Sequence, residues 1–111
     1  MKYININVSQ PWFTYICKKE KKIEGRLNKG KFSELTKNQI IYFNNNDNIC
    51  KCKIYNIVKY KSFKEYLEQE GLKRTLPNVK TIKEGINIYR QYYSKDQEDK
   101  YGILAIYIKI I

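Results

Sequence analysis

The sequence predicts a single α+β domain, on three observations. Segments with strand-like apolar patterning stand at both ends of the chain and in its middle. Between the last two of them lie two apolar-striped segments, each opened by a Ser/Thr-x-x-Glu start signal. The length, 111 residues, leaves room for one core and little else, and no internal repeat, linker or composition break divides residues 1–111.

Lys2 to Val8 alternates, with Tyr3, Asn5 and Asn7 on one side and Ile4, Ile6 and Val8 on the other, as in a half-buried strand. Ser9 is placed to cap a short helix with Pro11 in its first turn, where a missing N–H costs nothing. Trp12, Phe13 and Ile16 form its buried side, and it ends among Lys18 and Lys19. Lys21 to Leu27 reads as a second strand, with Ile23 toward the core and Gly25 leaving room for a close approach. Asn28-Lys29-Gly30 is a turn, and Ile40 to Phe43 a third strand closed by the polar loop Asn44 to Asn48. Ile49 to Tyr60 is a long fourth strand: Cys50, Cys52 and Ile54 line one face, Lys51, Lys53 and Tyr55 the other. Ser62-Phe63-Lys64-Glu65 opens a helix with a Phe63, Tyr66, Leu67 stripe that stops at Gly71. Thr81-Ile82-Lys83-Glu84 opens another, striped by Ile82, Ile86, Tyr89 and Tyr93 and slightly weakened by Gly85. Gly102 leads into the last strand, Ile103 to Ile110, apolar on both faces and therefore interior to its sheet.

Composition narrows the functions. The net charge is +11, which favours a polyanionic partner, although 19 of the 22 basic residues are lysine and AT-rich coding is a competing source of such a bias. The charge is uneven: residues 1–61 hold 13 basic and 4 acidic side chains, residues 62–111 hold 9 and 7, so the first half builds a positive face. The absence of histidine removes His-Cys zinc sites, His-based triads and histidine bases. Cys17, Cys50 and Cys52 are too few and wrongly spaced for a disulfide framework or a thiolate metal site, and reduced thiols are the expectation. Neither a leader peptide nor an apolar span of membrane length is present, so an intracellular, cytoplasmic protein is expected, with no membrane, metal or cofactor.

The densest candidate site is Lys18 to Leu27, where five basic groups fall within nine residues beside Trp12 and Tyr15. Cations next to aromatic rings suit a phosphate backbone and stacked bases, while a solvated charge run is the plain alternative. Lys22 belongs to this run. Tyr55 and Tyr60, near Lys51, Lys53, Lys59 and Lys61, are further stacking candidates, whereas Tyr66, Tyr89 and Tyr107 stand at core spacing.

At this segment a resemblance becomes specific. Ser9-Gln10-Pro11-Trp12 followed by Lys21-Lys22-Ile23-Glu24-Gly25-Arg26 resembles the opening of ASCH domains, a family named after activating signal cointegrator. The blocks Tyr60 to Leu67, Glu70-Gly71-Leu72, Leu76-Pro77, Glu84-Gly85, Ile88 to Ser94 and Tyr101 to Ile106 continue the likeness over nearly the whole chain. Two departures stand out: Lys19 replaces a common glycine, and Asn38-Gln39 replaces a Gly-Asp before the third strand. Asparagine tolerates a left-handed turn, so that turn should survive.

The resemblance implies a PUA-like fold, a small and mostly antiparallel β-barrel with helices around a cleft, and an RNA-related role. Lys21, Glu24 and Arg26 inherit the cleft-lining positions. Should Glu24 and Arg26 share a strand face, they can pair as a salt bridge, or divide labour, Arg26 toward phosphate and Glu24 toward an exocyclic amine. One branch of the family hydrolyses N4-acetylcytidine with a lysine, a threonine nucleophile and a glutamate. Lys21 falls on the lysine and Glu70 on the glutamate, but Glu24 stands at the nucleophile position, and a carboxylate cannot repeat hydroxyl acyl transfer. Glu24 could still serve as a base toward water, with Lys21 at the oxyanion. Some other members are ribonucleases, which adds a second enzymatic option. Glu70 itself reads as a surface carboxylate unless it turns into the cleft. The expected partner is therefore RNA or another nucleic acid, or a modified nucleoside.

Overall fold

A computed structural model describes residues 3–111. Lys2, the start of the expected first strand, lies outside them. Among the described residues there are strands β1 (Tyr3–Asn7), β2 (Ile23–Leu27), β3 (Ile40–Asn45), β4 (Asn48–Tyr60) and β5 (Ile103–Ile110). The helices are α1 (Trp12–Cys17), α2 (Phe63–Glu70), α3 (Leu72–Thr75), α4 (Ile82–Arg90) and α5 (Lys95–Tyr101), with a 3₁₀ turn at Gly30–Glu34. The strands form one sheet in the order β1-β3-β4-β5-β2, antiparallel except for the β1–β3 pair. It curls into a half-barrel, so its two edges approach each other: Arg26 on β2 donates from Nη2 to the Asn7 carbonyl on β1 at 3.2 Å.

The core lies on both faces of this sheet. Ile6, Phe43, Cys52 and Ile106 pack with Phe13 and Ile16 of α1 on one side. Ile23, Leu27 and Ala105 pack with Phe63, Tyr66 and Leu67 of α2 and Tyr89 of α4 on the other. The expected interior place of β5 follows, since Leu104 and Ile106 serve the first cluster and Ile103 and Ala105 the second. The alternation of β4 holds through Ile54, where Tyr55 enters as the extra residue of a bulge between the Ile54–Ile108 and Asn56–Tyr107 pairs. Asn38 adopts φ 74°, so the turn before β3 survives the loss of glycine. The loop after β3 is tighter than expected, with Asn45 and Asn48 already paired across it.

Several local expectations are corrected. Ser9 does not cap α1. The residue before the helix is Pro11, and the free N–H of Thr14 is satisfied instead by Gln10 Oε1 at 3.1 Å. The second strand begins at Ile23, not Lys21. Ser62 and Thr81 do cap α2 and α4, accepting from Glu65 and Glu84 N–H at 3.1 Å each. The reciprocal box, however, forms at Ser94 and Gln97, at the start of α5. Helices α3 and α5 were not expected. Helix α3 is a single turn, and α5 has no apolar stripe; it is tied to α4 by buried Glu98, which pairs with Arg90 at 3.2 Å and Lys95 at 3.0 Å.

Gly25 and Gly85 are required by packing. A Cβ on Gly85 would lie 2.8 Å from Leu67 Cδ1, so its absence lets α4 sit against α2. A Cβ on Gly25 would lie 2.8 Å from the ring of Tyr66, which is fully buried. The substitution Gly25→Ala should therefore lower unfolding free energy by about 1–3 kcal/mol, as over-packing a tight contact does. Urea denaturation measures it, and a variant as stable as the parent contradicts the close approach.

Candidate functional site

Strand β2 alternates Ile23, Gly25 and Leu27 with Glu24 and Arg26. The period of two puts the last pair on one face, and they bond there: Arg26 Nε donates to Glu24 Oε2 at 2.7 Å. The other carboxylate oxygen of Glu24 lies 3.4 Å from Lys21 Nζ. Lys21 is almost wholly buried, and its ammonium also donates to the Ile23 carbonyl at 2.8 Å and to the Thr75 carbonyl. Lys21, Glu24 and Arg26 thus form one continuous row of two cations about one anion, and Arg26 ends the row by reaching β1.

Opposing effects set the ionisation of the row. Burial pushes the Lys21 ammonium below its usual range, only partly offset by Glu24. Burial would raise the Glu24 carboxyl, but Arg26 and Lys21 outweigh it and hold it below the ordinary carboxylate range. Burial opposes the charge on Arg26, yet Glu24 leaves its pKa raised.

The row floors a cleft of about 610 Å³ between the two edges of the sheet. Trp12, Tyr89, Tyr92 and Tyr93 line it, with the rim supplied by Asn7, Ser9 and Asn44 to Asn46. Trp12 lies with its ring centroid 6.0 Å from Lys21 Nζ. Tyr92 is 57% exposed and bonds Ser9 Oγ at 3.2 Å, so its ring stands at the mouth. Burial raises the Tyr89 and Tyr93 phenols, which remain neutral donors at physiological pH.

The sequence-selected residues divide among separate places. Trp12, Lys21, Glu24 and Arg26 converge in this cleft. Lys22 and Tyr55 line a different cavity, and Tyr60 and Lys61 a third region beside α5. Glu70 does not join the row. It is buried rather than on the surface, and accepts from the phenols of Tyr60 and Tyr107 and from Arg74 Nη2 at 2.8 Å. Tyr107 is only half-buried, in edge contact with Tyr55. Tyr92 and the asparagine rim were missed. Tyr92 falls outside the α4 apolar stripe, which accounts for Tyr89 and Tyr93, and that mismatch was the available signal.

Removing the negative member of the row leaves buried Lys21 and half-buried Arg26 without a counter-charge. Glu24→Gln should lower stability at neutral pH by about 3 kcal/mol. Because the Glu24 carboxyl is held low, its ionised form contributes stability above about pH 4, lost as pH falls through the depressed folded value. The gap between parent and variant should therefore close in acid, as measured by urea unfolding at several pH values. A gap independent of pH contradicts the row.

Comparisons place this geometry in a family. The crystal structure of hypothetical protein PH0355 is similar over 99% of this chain and 100% of that one, with 39% identity and a TM-score of 0.93. The solution NMR structure of protein PF0455 from Pyrococcus furiosus is similar over 99% of this chain and 98% of that one, with 36% identity and a TM-score of 0.84. Comparison with curated proteins finds no match. The family model for the ASCH domain matches residues 6–111, from β1 to the end of β5 and across the whole cleft, and the chain belongs to the ASCH domain family.

Proposed function

We propose that this chain binds RNA, receiving one base in the cleft above Lys21, Glu24 and Arg26. The observation that carries the reading is the floor of the cleft: two cations share one carboxylate beneath a wall of aromatic rings. The floor keeps a net positive charge for a phosphate, and the rings offer faces for a base. A volume of about 610 Å³ suits a nucleoside-sized group. Each Glu24 oxygen takes a single cation and retains a lone pair for an exocyclic amine such as cytosine N4. The association of ASCH domains with RNA and the charge of +11, concentrated in the first half, agree with it.

Hydrolysis of a modified nucleoside such as N4-acetylcytidine, or of RNA, is the second reading. A buried lysine with a lowered pKa beside a carboxylate in a cleft favours it. Three observations weigh against it. The Lys21 ammonium already donates to the Ile23 and Thr75 carbonyls and is paired with Glu24 at 3.4 Å, so little of it is left for an oxyanion. Two cations make Glu24 a weak base. Glu70 is bonded elsewhere.

Titration of a labelled single-stranded RNA against salt tests the proposal. Binding should weaken steeply as salt rises. Tyr92→Ala, at an exposed wall position, should weaken it about fivefold or more with thermal stability unchanged. No binding at low salt sinks the reading. Rapid release of cytidine from N4-acetylcytidine, abolished by Lys21→Ala, would favour the hydrolase.

A further inference from the structure

A second cavity, of about 550 Å³, shares Lys21 with the cleft. Lys19, Lys22, Lys109 and Tyr55 also line it, over an apolar floor from α1, β4 and β5, and no carboxylate is among its lining residues. Such a single-signed pocket is complementary to an anion.

Two departures from regular backbone bring side chains to this cavity. Lys19 adopts φ 64°, a left-handed conformation unfavourable for a residue with a side chain. This is the residue that closes α1, where Lys19 N–H donates to Ile16 O and Glu20 N–H to Tyr15 O, and the turn it makes carries the Lys19 side chain to the cavity. Tyr55 is the extra residue of the β4 bulge, and a bulge re-aims the side chain it carries. Tyr55 is 49% exposed and makes a T-shaped contact with Tyr107, with ring centroids 5.6 Å apart, which steadies it. The lysines are also anchored through their backbone. Lys22 N–H donates to Arg74 O at 2.9 Å and its carbonyl accepts from Ile108 N–H at 3.1 Å, while Lys19 N–H donates to Ile16 O at 3.0 Å.

We propose that this cavity is a second subsite for the RNA strand whose base occupies the cleft. It takes the phosphodiester beside that nucleotide on Lys19, Lys22 and Lys109, and stacks the next base on Tyr55. Lys21 lines both cavities, so the two subsites are neighbours on the protein. The inference rests on the RNA reading above.

The test compares two ligands on the full chain: cytidine, followed by NMR titration, and a labelled single-stranded hexanucleotide, followed by anisotropy across salt. Lys19→Gly and Tyr55→Ala should bind cytidine as the parent does and bind the hexanucleotide about fivefold or more weakly. Lys19→Gly should also lower the slope of log affinity against log salt by about 0.7, the loss of one phosphate contact on a single strand. Its melting temperature should not fall, because glycine adopts the left-handed backbone freely. Unchanged hexanucleotide affinity and salt slope in both variants overturn the second subsite and leave the cleft reading standing. A parent protein that binds neither ligand overturns both.

Discussion

The structure turns on a row of three charges, two buried and one half-buried, at the seam of an open sheet. Strands β1 and β2 are the two edges of the half-barrel and share no backbone ladder. What spans the gap is the chain of contacts from Thr75 O through Lys21, Glu24 and Arg26 to Asn7 O. Buried charges are costly unless paired and hydrogen-bonded, and here each is. The seam remains an accessible cleft because side chains, rather than a sheet ladder, cross it. Replacing the row with apolar residues could hold the edges equally well, but would leave no charge at the floor. Stability by itself therefore does not require the row, and the proposed base-binding role supplies a reason for it.

The rest of the fold supports that floor from two directions. From beneath, Gly25 lets the Tyr66 ring come against the β2 backbone, and the Tyr66 phenol meets that of Tyr89 at 3.3 Å. The strand that carries Glu24 and Arg26 is thus packed without a gap. From the side, α4 is drawn against α2 at Gly85, and its C-terminal end is tied to α5 through Arg90 and Glu98. This fixes the segment from Tyr89 to Tyr93 that forms the aromatic wall. The Gln-Pro-Trp segment has a local task as well: Gln10 caps α1, which brings Trp12 over Lys21.

Much of this could be read from local pattern. Alternation gave β1 and β4 and start signals gave α2 and α4, whereas the floor of the cleft came from the likeness of the Lys21 to Arg26 segment to ASCH domains. The omissions have physical causes. Helix α5 carries polar residues around most of its surface, so no stripe marked it, although Ser94-Lys95-Asp96-Gln97 held a capping pattern. Glu70 was misjudged because a carboxylate reads as exposed. Yet it continues the Phe63, Tyr66, Leu67 stripe by one further turn, and that spacing pointed inward. Its donors, Tyr60, Tyr107 and Arg74, come from three elements, and no local rule brings them together. The approach of β1 to β2 across the seam is likewise a property of the curl of the whole sheet.

The central claim is that a base sits above the charged row, and the chain carries its own reporter, since Trp12 is the single tryptophan and lines that cleft. Exciting tryptophan selectively over the tyrosines while titrating single-stranded RNA tests the claim directly. A base received in the cleft should quench Trp12 fluorescence saturably, with the dissociation constant found by anisotropy under the same salt. RNA that binds fully by anisotropy while Trp12 emission stays constant would place the strand elsewhere on the protein and contradict the account.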